Sequence, residues 1–237
     1  MERILALKGR SGLAGKGNRE RLLGIYEVLY GHFGPQHWWP GDGPFEVIVG
    51  AILAQNTSWK NVEKAISNLK KAEALWPEGI AALSLPELAE LIRPSGTYRV
   101  KADRLLQFVA FLQGHYGFNL QAMFRVPLSR IRAEILSVKG IGPETADSIL
   151  LYAGGCPVFV VDAYTKRIFS RHGFIRAGCA YGELQALFMK ALPPDVSLFN
   201  EYHALIVRLG KNWCHARPIC EDCVLRPLLH GKENLGR

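Results

Sequence analysis

No run of about eighteen uncharged apolar residues, the length a membrane-spanning helix needs, occurs in this 237-residue chain. A helical membrane protein is therefore not expected. The opening MERILALKGRSGLAGKGNRER lacks the apolar block of a secretion signal and reads as a short basic tail, which predicts a cytoplasmic protein. Cysteine is scarce, with five residues, and in such a compartment these argue for metal binding or free thiols rather than a disulfide framework. There is no internal repeat and no low-complexity stretch beyond the Gly/Lys-rich tail. Alternation of apolar and polar residues, the mark of a half-buried strand, is also missing. Acidic residues are short relative to basic ones, 21 against 29, for a net charge of +8 and a pI near 9.3. That excess is moderate and compatible with a polyanionic partner. At 49% hydrophobic, the chain can bury the core of one large or two small domains.

What is present is helical periodicity. A first helix runs from about Asn18, a capping type, to about Gly31, with Leu22, Ile25, Tyr26 and Leu29 on its apolar face. The loop GPQHWWPGDGP follows and carries the adjacent Trp38 and Trp39. PFEVIVGAILAQ is nearly all apolar and predicts a central buried helix, ending on the polar Gln55 and Asn56. Ser58 is placed to cap a helix with Val62, Ala65, Ile66 and Leu69 inward. Ser84 and Glu87 make a capping box. RPSGTYRVKA breaks the chain before a long helix with Leu105, Leu106, Val109 and Leu112 inward. Further helices are expected near 162–171, 181–191 and 197–210.

The stretch IRAEILSVKGIGPETADSILLYAGGCPVFVVD, residues 131–162, carries the most chemistry. It reads as two short helices joined by a hairpin in which Gly140 and Gly142 flank Ile141. Glycines permit a tight reversal and close approach of the backbone to something bulky. Pro143 suits the first position of the second helix, whose free amides beside a side-chain-poor loop make a phosphate-binding arrangement. The run Pro157–Val161 is too apolar to be exposed and too short for a helix, and it delivers Asp162. That aspartate also stands where it would cap the next helix.

VKGIGPETADSILLYAGGCPVFVVDAYTKRI resembles the helix-hairpin-helix plus Gly/Pro…Asp signature of the endonuclease III superfamily of DNA glycosylases. The resemblance implies an all-α, two-domain fold. A six-helix barrel would occupy roughly 44–156, with the helix-hairpin-helix at about 130–153. Residues 1–43 and 157–237 would form a second domain, with Asp162 in the cleft between the two. The resemblance also implies roles: the amides of Gly140, Ile141 and Gly142, with Lys139 beside them, on a DNA phosphate, and Asp162 as the catalytic carboxylate. Gln55, in FEVIVGAILAQNTSW, matches the glutamine that enters the duplex space left by an extruded base. EYHALIVRLGKNWC, residues 201–214, resembles the helix leading into the superfamily's iron–sulfur loop.

Two departures narrow the activity. Glu144 stands where members that also cut the strand carry a lysine, whose amine forms a Schiff base with the sugar; a carboxylate cannot, so base release without strand cleavage is expected. Ala51 occupies the place of the catalytic glutamate of the adenine-mismatch branch. The motifs Trp38–Pro40, Phe45–Thr57, Ile92–Ala102 and Lys139–Asp162 are most similar to the monofunctional 3-methyladenine branch. Such an enzyme acts as a monomer on double-stranded DNA, in a nucleoid-associated setting, and extrudes a damaged base that is already cationic. One carboxylate then suffices to stabilise the oxocarbenium-like sugar. Trp38, Trp39, Pro40 and Trp59 are the expected pocket, since a cationic base is attracted to aromatic faces. An endonuclease III-like glycosylase and lyase for oxidised pyrimidines, and a non-catalytic DNA-binding module, are the alternatives.

Cys214, Cys220 and Cys223 are spaced C-x5-C-x2-C. The superfamily's cluster loop carries a fourth cysteine where this chain has Leu229, with His230 next to it. A [4Fe–4S] cluster, a zinc ion held by three cysteines and His230, and a metal-free loop all remain open. Cys156 and Cys179 read as buried thiols.

Overall fold

The computed structural model describes residues 17–228 and is built from helices, with no strand among them. The described residues divide into two compact units, one of residues 39–160 and one combining residues 17–38 with 161–228. No helix among the described residues is long and apolar enough to cross a membrane.

In the unit of residues 39–160 the central element is α2, Pro44–Leu53, in which every residue from Val47 to Leu53 is buried. Around it stand α3 (Trp59–Lys71), α4 (Pro77–Ala81), α5 (Leu85–Leu91), α6 (Tyr98–Tyr116), α7 (Leu120–Phe124), α8 (Leu128–Ser137) and α9 (Pro143–Ser148). The inner faces are those the apolar spacing predicts: Val62, Ala65, Ile66 and Leu69 on α3, and Leu105, Val109 and Leu112 on α6. Leu106 is half-buried instead. The Ser84–Glu87 capping box forms in full on α5.

Several expected helix starts need correction. Asn18 lies inside the first turn of α1 (Asn18–Phe33), with Gly17 in the cap position, so it does not cap it. Ser58 does occupy the cap position of α3, but its hydroxyl accepts no cap hydrogen bond. The second hairpin helix also changes character. After α9 the segment Ile149–Ala153 widens into π geometry, and the Gly154 amide donates back to the Ile149 carbonyl at 3.0 Å. Cys156 is half-buried rather than buried.

A cation is buried in this unit without being foreseen. Lys101, on α6, is 1% exposed. Its Nζ donates to the carbonyl of Leu53 at 2.8 Å, at the end of α2, and to the carbonyl of Ser95 at 2.6 Å. Burial pushes its pKa down to about 8, and the nearby Arg104 charge adds to this. The ammonium thus satisfies two backbone acceptors that helix ends leave open. Lys101→Met keeps the packing and removes the donors. Hydrogen bonds from charged groups are worth about 1.5–3 kcal/mol each, and 1 kcal/mol moves the melting point of a chain this size by about 2–4 °C. Thermal melting should therefore fall by roughly 6–24 °C; an unchanged melting point would show that the ammonium contributes nothing net.

The other unit brings α1 together with α10 (Ala163–Arg171), α11 (Tyr181–Ala191) and α12 (Val196–Asn212). Tyr202 joins the two ends of the chain: fully buried on α12, it donates its hydroxyl to the Leu22 carbonyl on α1 at 2.8 Å. Its ring meets Tyr26 and Phe188 edge-on, and Phe188 in turn meets Phe169. The Gln36 amide donates to Glu201 at 2.7 Å. Such aromatic edges add about 0.5–1.5 kcal/mol each beyond their area, enough to fasten an N-terminal helix to a C-terminal one. α12 starts one residue earlier than expected because the Asp195 carboxylate caps it through the Leu198 amide.

Candidate active site

The hairpin is set by an ion pair. Asp147 on α9 is fully buried and takes both arms of the Arg132 guanidinium from α8, Nε at 2.6 Å and Nη2 at 3.0 Å. This bidentate contact fixes the two helices against each other. Nothing in the spacing of Arg132 and Asp147 announced it. Between the helices the two glycines are not equivalent. Gly140 has φ +87°, which favours glycine. Gly142 is extended, at φ −92°, and a Cβ there would meet nothing within 4 Å. The Ile141 amide is spent closing the turn on the Val138 carbonyl at 3.0 Å, and its side chain is buried. Of the three amides expected to face a phosphate, that of Ile141 is therefore engaged, while those of Gly140 and Gly142 have no backbone acceptor among the described residues. Lys139 is exposed beside them, and Glu144 sits in the first turn of α9.

Removing Arg132 would strand a buried carboxylate, and breaking such a pair costs about 3–5 kcal/mol. Arg132→Met should lower thermal stability by that order and weaken duplex binding with it. Undiminished binding would mean that the pair does not shape the hairpin.

Gln55 lies in the turn after α2 and is part-buried. Its Nε2 donates to Thr145 Oγ1 on α9 at 2.9 Å, and its Oε1 accepts from the Arg104 guanidinium. Trp39 and Trp59 are brought together, edge to face with ring centroids 5.1 Å apart, and Tyr152 packs on Trp39 at 5.1 Å. Tyr152 was not anticipated, since an aromatic on a helix is ordinarily core. Gly50 makes room for this group: a Cβ there would stand 3.2 Å from Trp39 Nε1 and 3.5 Å from Trp59. Pro40 is exposed. Trp38 falls in the other unit, where the Lys211 ammonium lies 6.0 Å from its ring.

Asp162 ends the run Val158–Val161, which is buried throughout, and occupies the cap position of α10. Both expected properties, a buried delivery and a cap, are present in one residue. Its Oδ1 accepts from the Thr165 amide and the Thr165 hydroxyl, each at 2.7 Å. Its Oδ2 faces His203 Nε2 on α12 at 3.7 Å. Burial lowers the His203 pKa, with the Asp162 charge opposing, so the imidazole is neutral at neutral pH. One carboxylate oxygen is thus anchored while the other retains capacity for a developing positive charge.

Among the described residues the cysteine loop shows no assembled metal shell. A [4Fe–4S] cluster takes four thiolates as a rule, whereas this loop offers three, with leucine at position 229. The Cys214 sulfur accepts from Arg171 at 3.2 Å; Arg171 also donates to the carbonyls of His215 and Ala216, and Arg167 donates to that of Cys214. Burial pushes the Cys223 thiol up, and charge on Cys220 and Cys214 adds to it. Among the described residues no three His, Cys, Asp or Glu side chains converge on a metal position. His230 lies outside the described residues. The three cysteines alone fall one donor short of either ligand set.

A glycine hairpin between locked helices, followed by a buried carboxylate that caps the next helix, agrees with the arrangement that the helix-hairpin-helix resemblance implies. The profile of the HhH-GPD superfamily of base excision DNA repair proteins matches residues 49–194, and this chain belongs to that family: it is a DNA repair glycosylase. A Methanocaldococcus jannaschii protein provisionally named as a DNA repair glycosylase is 47% identical over 209 residues, covering 87% of this chain and 94% of that one. Endonuclease III of Thermotoga maritima is 32% identical over 184 residues, 77% of this chain and 81% of that one. Among solved structures, the 3-methyladenine DNA glycosylase of H. pylori bound to 1,N6-ethenoadenine superposes with a TM-score of 0.70 at 29% identity, covering 82% of this chain and 97% of that one. An endonuclease III–DNA complex superposes at 0.75 and 25% identity, over 89% and 94%.

Proposed function

We propose that this protein is a monofunctional glycosylase that removes alkylated purines of the 3-methyladenine type from double-stranded DNA and leaves the abasic site uncut. The observation that carries the reading is Glu144 in the first turn of α9, where strand-cutting relatives place their Schiff-base lysine. A carboxylate cannot form that adduct. The likeness to the H. pylori 3-methyladenine enzyme supports the substrate class.

The roles follow from the chemistry. The Gly140 and Gly142 amides, with Lys139, grip a phosphate, and Gln55 fills the gap in the duplex. Trp39, Trp59 and Tyr152 form a stacking group for a base, with Pro40 next to Trp39 in the same loop. Base–aromatic stacking is worth about 1–3 kcal/mol per base, and a cationic base adds a cation–π contribution of about 0.5–2 kcal/mol. An N3-alkylated purine also leaves without a general acid. Asp162 then acts on the sugar, stabilising the oxocarbenium-like transition state or orienting the attacking water.

The endonuclease III-like reading requires an amine. Lys101 is buried and committed to two carbonyls, which leaves Lys139 as the exposed amine of the hairpin. A release assay on a panel of damaged duplexes, run with and without alkali and with borohydride present, separates the readings. Free 3-methyladenine, strand scission only after alkali, and no trapped protein–DNA adduct are expected. Scission without alkali together with a trapped adduct would replace the proposal by the lyase reading. Trp59→Ala should lower 3-methyladenine release tenfold or more, about 1.4 kcal/mol in the barrier, with the melting point largely kept. Release that survives in a protein melting much lower would make Trp59 a core ring and remove the pocket.

A further inference from the structure

Arg104 links two parts of the DNA-binding apparatus that the preceding reading treats separately. Gln55 is held at both ends of its carboxamide: Thr145 Oγ1 takes the Nε2 hydrogen bond at 2.9 Å, and the Arg104 guanidinium donates to Oε1. These three side chains come from the turn after α2, from α9 and from α6. The Arg104 stem also runs over the hairpin. A Cβ on Gly140 would stand 2.5 Å from Arg104 Cγ and 2.8 Å from its Nε, so the glycine is needed here for approach as well as for its positive φ. Arg104 forms no ion pair among the described residues. Lys101 is a second cation close enough to feel its charge.

A guanidinium presents five N–H donors in a fixed plane. One is used on Gln55, and the side chain passes the turn that offers the Gly140 and Gly142 amides, with Nε beside Gly140. An anion seated on those amides meets an uncompensated cation, and a charge-assisted hydrogen bond is roughly twice as strong as a neutral one. We propose that Arg104 is a positioning residue that bridges the hairpin-bound DNA phosphate and the Gln55 carboxamide, so that seating the phosphate and placing Gln55 in the duplex are one coupled event. Thr145 fixes the other end of the carboxamide and gives it a single orientation. The inference rests on the reading of the hairpin as phosphate grip and of Gln55 as the inserted residue.

The test is a double-mutant cycle on affinity for a duplex with a tetrahydrofuran abasic analogue against the same duplex intact, repeated over a salt series. Gln55→Ala should lose about tenfold of the preference for the abasic duplex and leave the salt dependence unchanged. Arg104→Leu should lose that preference too, together with overall affinity, and its salt slope should become shallower by about one phosphate contact. Arg104→Lys keeps the charge and the stem over Gly140 but lacks the planar fork. It should keep the slope and lose the preference, and it guards against a variant that merely fails to fold. Combining Gln55→Ala with Arg104→Lys should cost no more preference than either alone. Additive losses, or full preference in Arg104→Lys, would overturn the coupling while leaving Gln55 as the inserted residue. Full preference in Gln55→Ala would overturn the insertion reading itself, and the coupling with it.

Discussion

A carboxylate buried among apolar residues is costly unless hydrogen bonds compensate it, and the arrangement around Asp162 is built to meet that requirement. The Thr165 amide and hydroxyl hold one oxygen at 2.7 Å. The first amides of α10 place the positive end of a helix dipole beside it. His203 faces the second oxygen, at 3.7 Å, as a neutral imidazole. The apolar run Val158–Val161 leaves no freedom in how the residue is delivered. Structure and the proposed chemistry therefore make the same demand on one side chain: the cap needs a rigid acceptor, and the proposed reaction needs a rigid negative charge.

The rest of each unit serves as a frame. Tyr202 and its neighbouring rings bind the N-terminal helix to the elements that carry Asp162 and His203. In the other unit the Arg132–Asp147 pair sets the hairpin, and the Lys101 ammonium closes the end of α2 just before the turn that bears Gln55. Charge is buried at three points, Asp162, Asp147 paired with Arg132, and Lys101. Each lies beside a residue with a proposed part in handling DNA.

Legibility in the sequence followed the kind of force involved. Apolar spacing marked the inner faces of α2, α3 and α6, because those residues need only be buried somewhere. Local hydrogen bonding marked the Ser84–Glu87 box and the Asp162 cap, since partners three residues apart are visible in a string. The same reasoning failed for Asn18 and Ser58, where the residue type suits a cap but the chain enters the helix without that bond. Lys101, His203 and the Arg132–Asp147 pair were invisible. Their burial depends on partners supplied by other helices, and a charged residue alone on a helix reads as solvated. The π widening at 149–153 and the approach of Tyr152 to Trp39 have no sequence signature at all. Glu144 and Ala51 were informative only against a family pattern, because an acid or an alanine in a helix explains itself locally.

The claim that Asp162 acts through its charge is separable from its role as a cap, because asparagine caps a helix about as well as aspartate. Single-turnover release of 3-methyladenine by Asp162→Asn, measured beside duplex affinity and thermal melting, tests it directly. The account predicts release lost by at least a thousandfold, with affinity and melting point near those of the unaltered protein. Release at a near-normal rate would remove the carboxylate from the reaction and leave Asp162 as a cap alone.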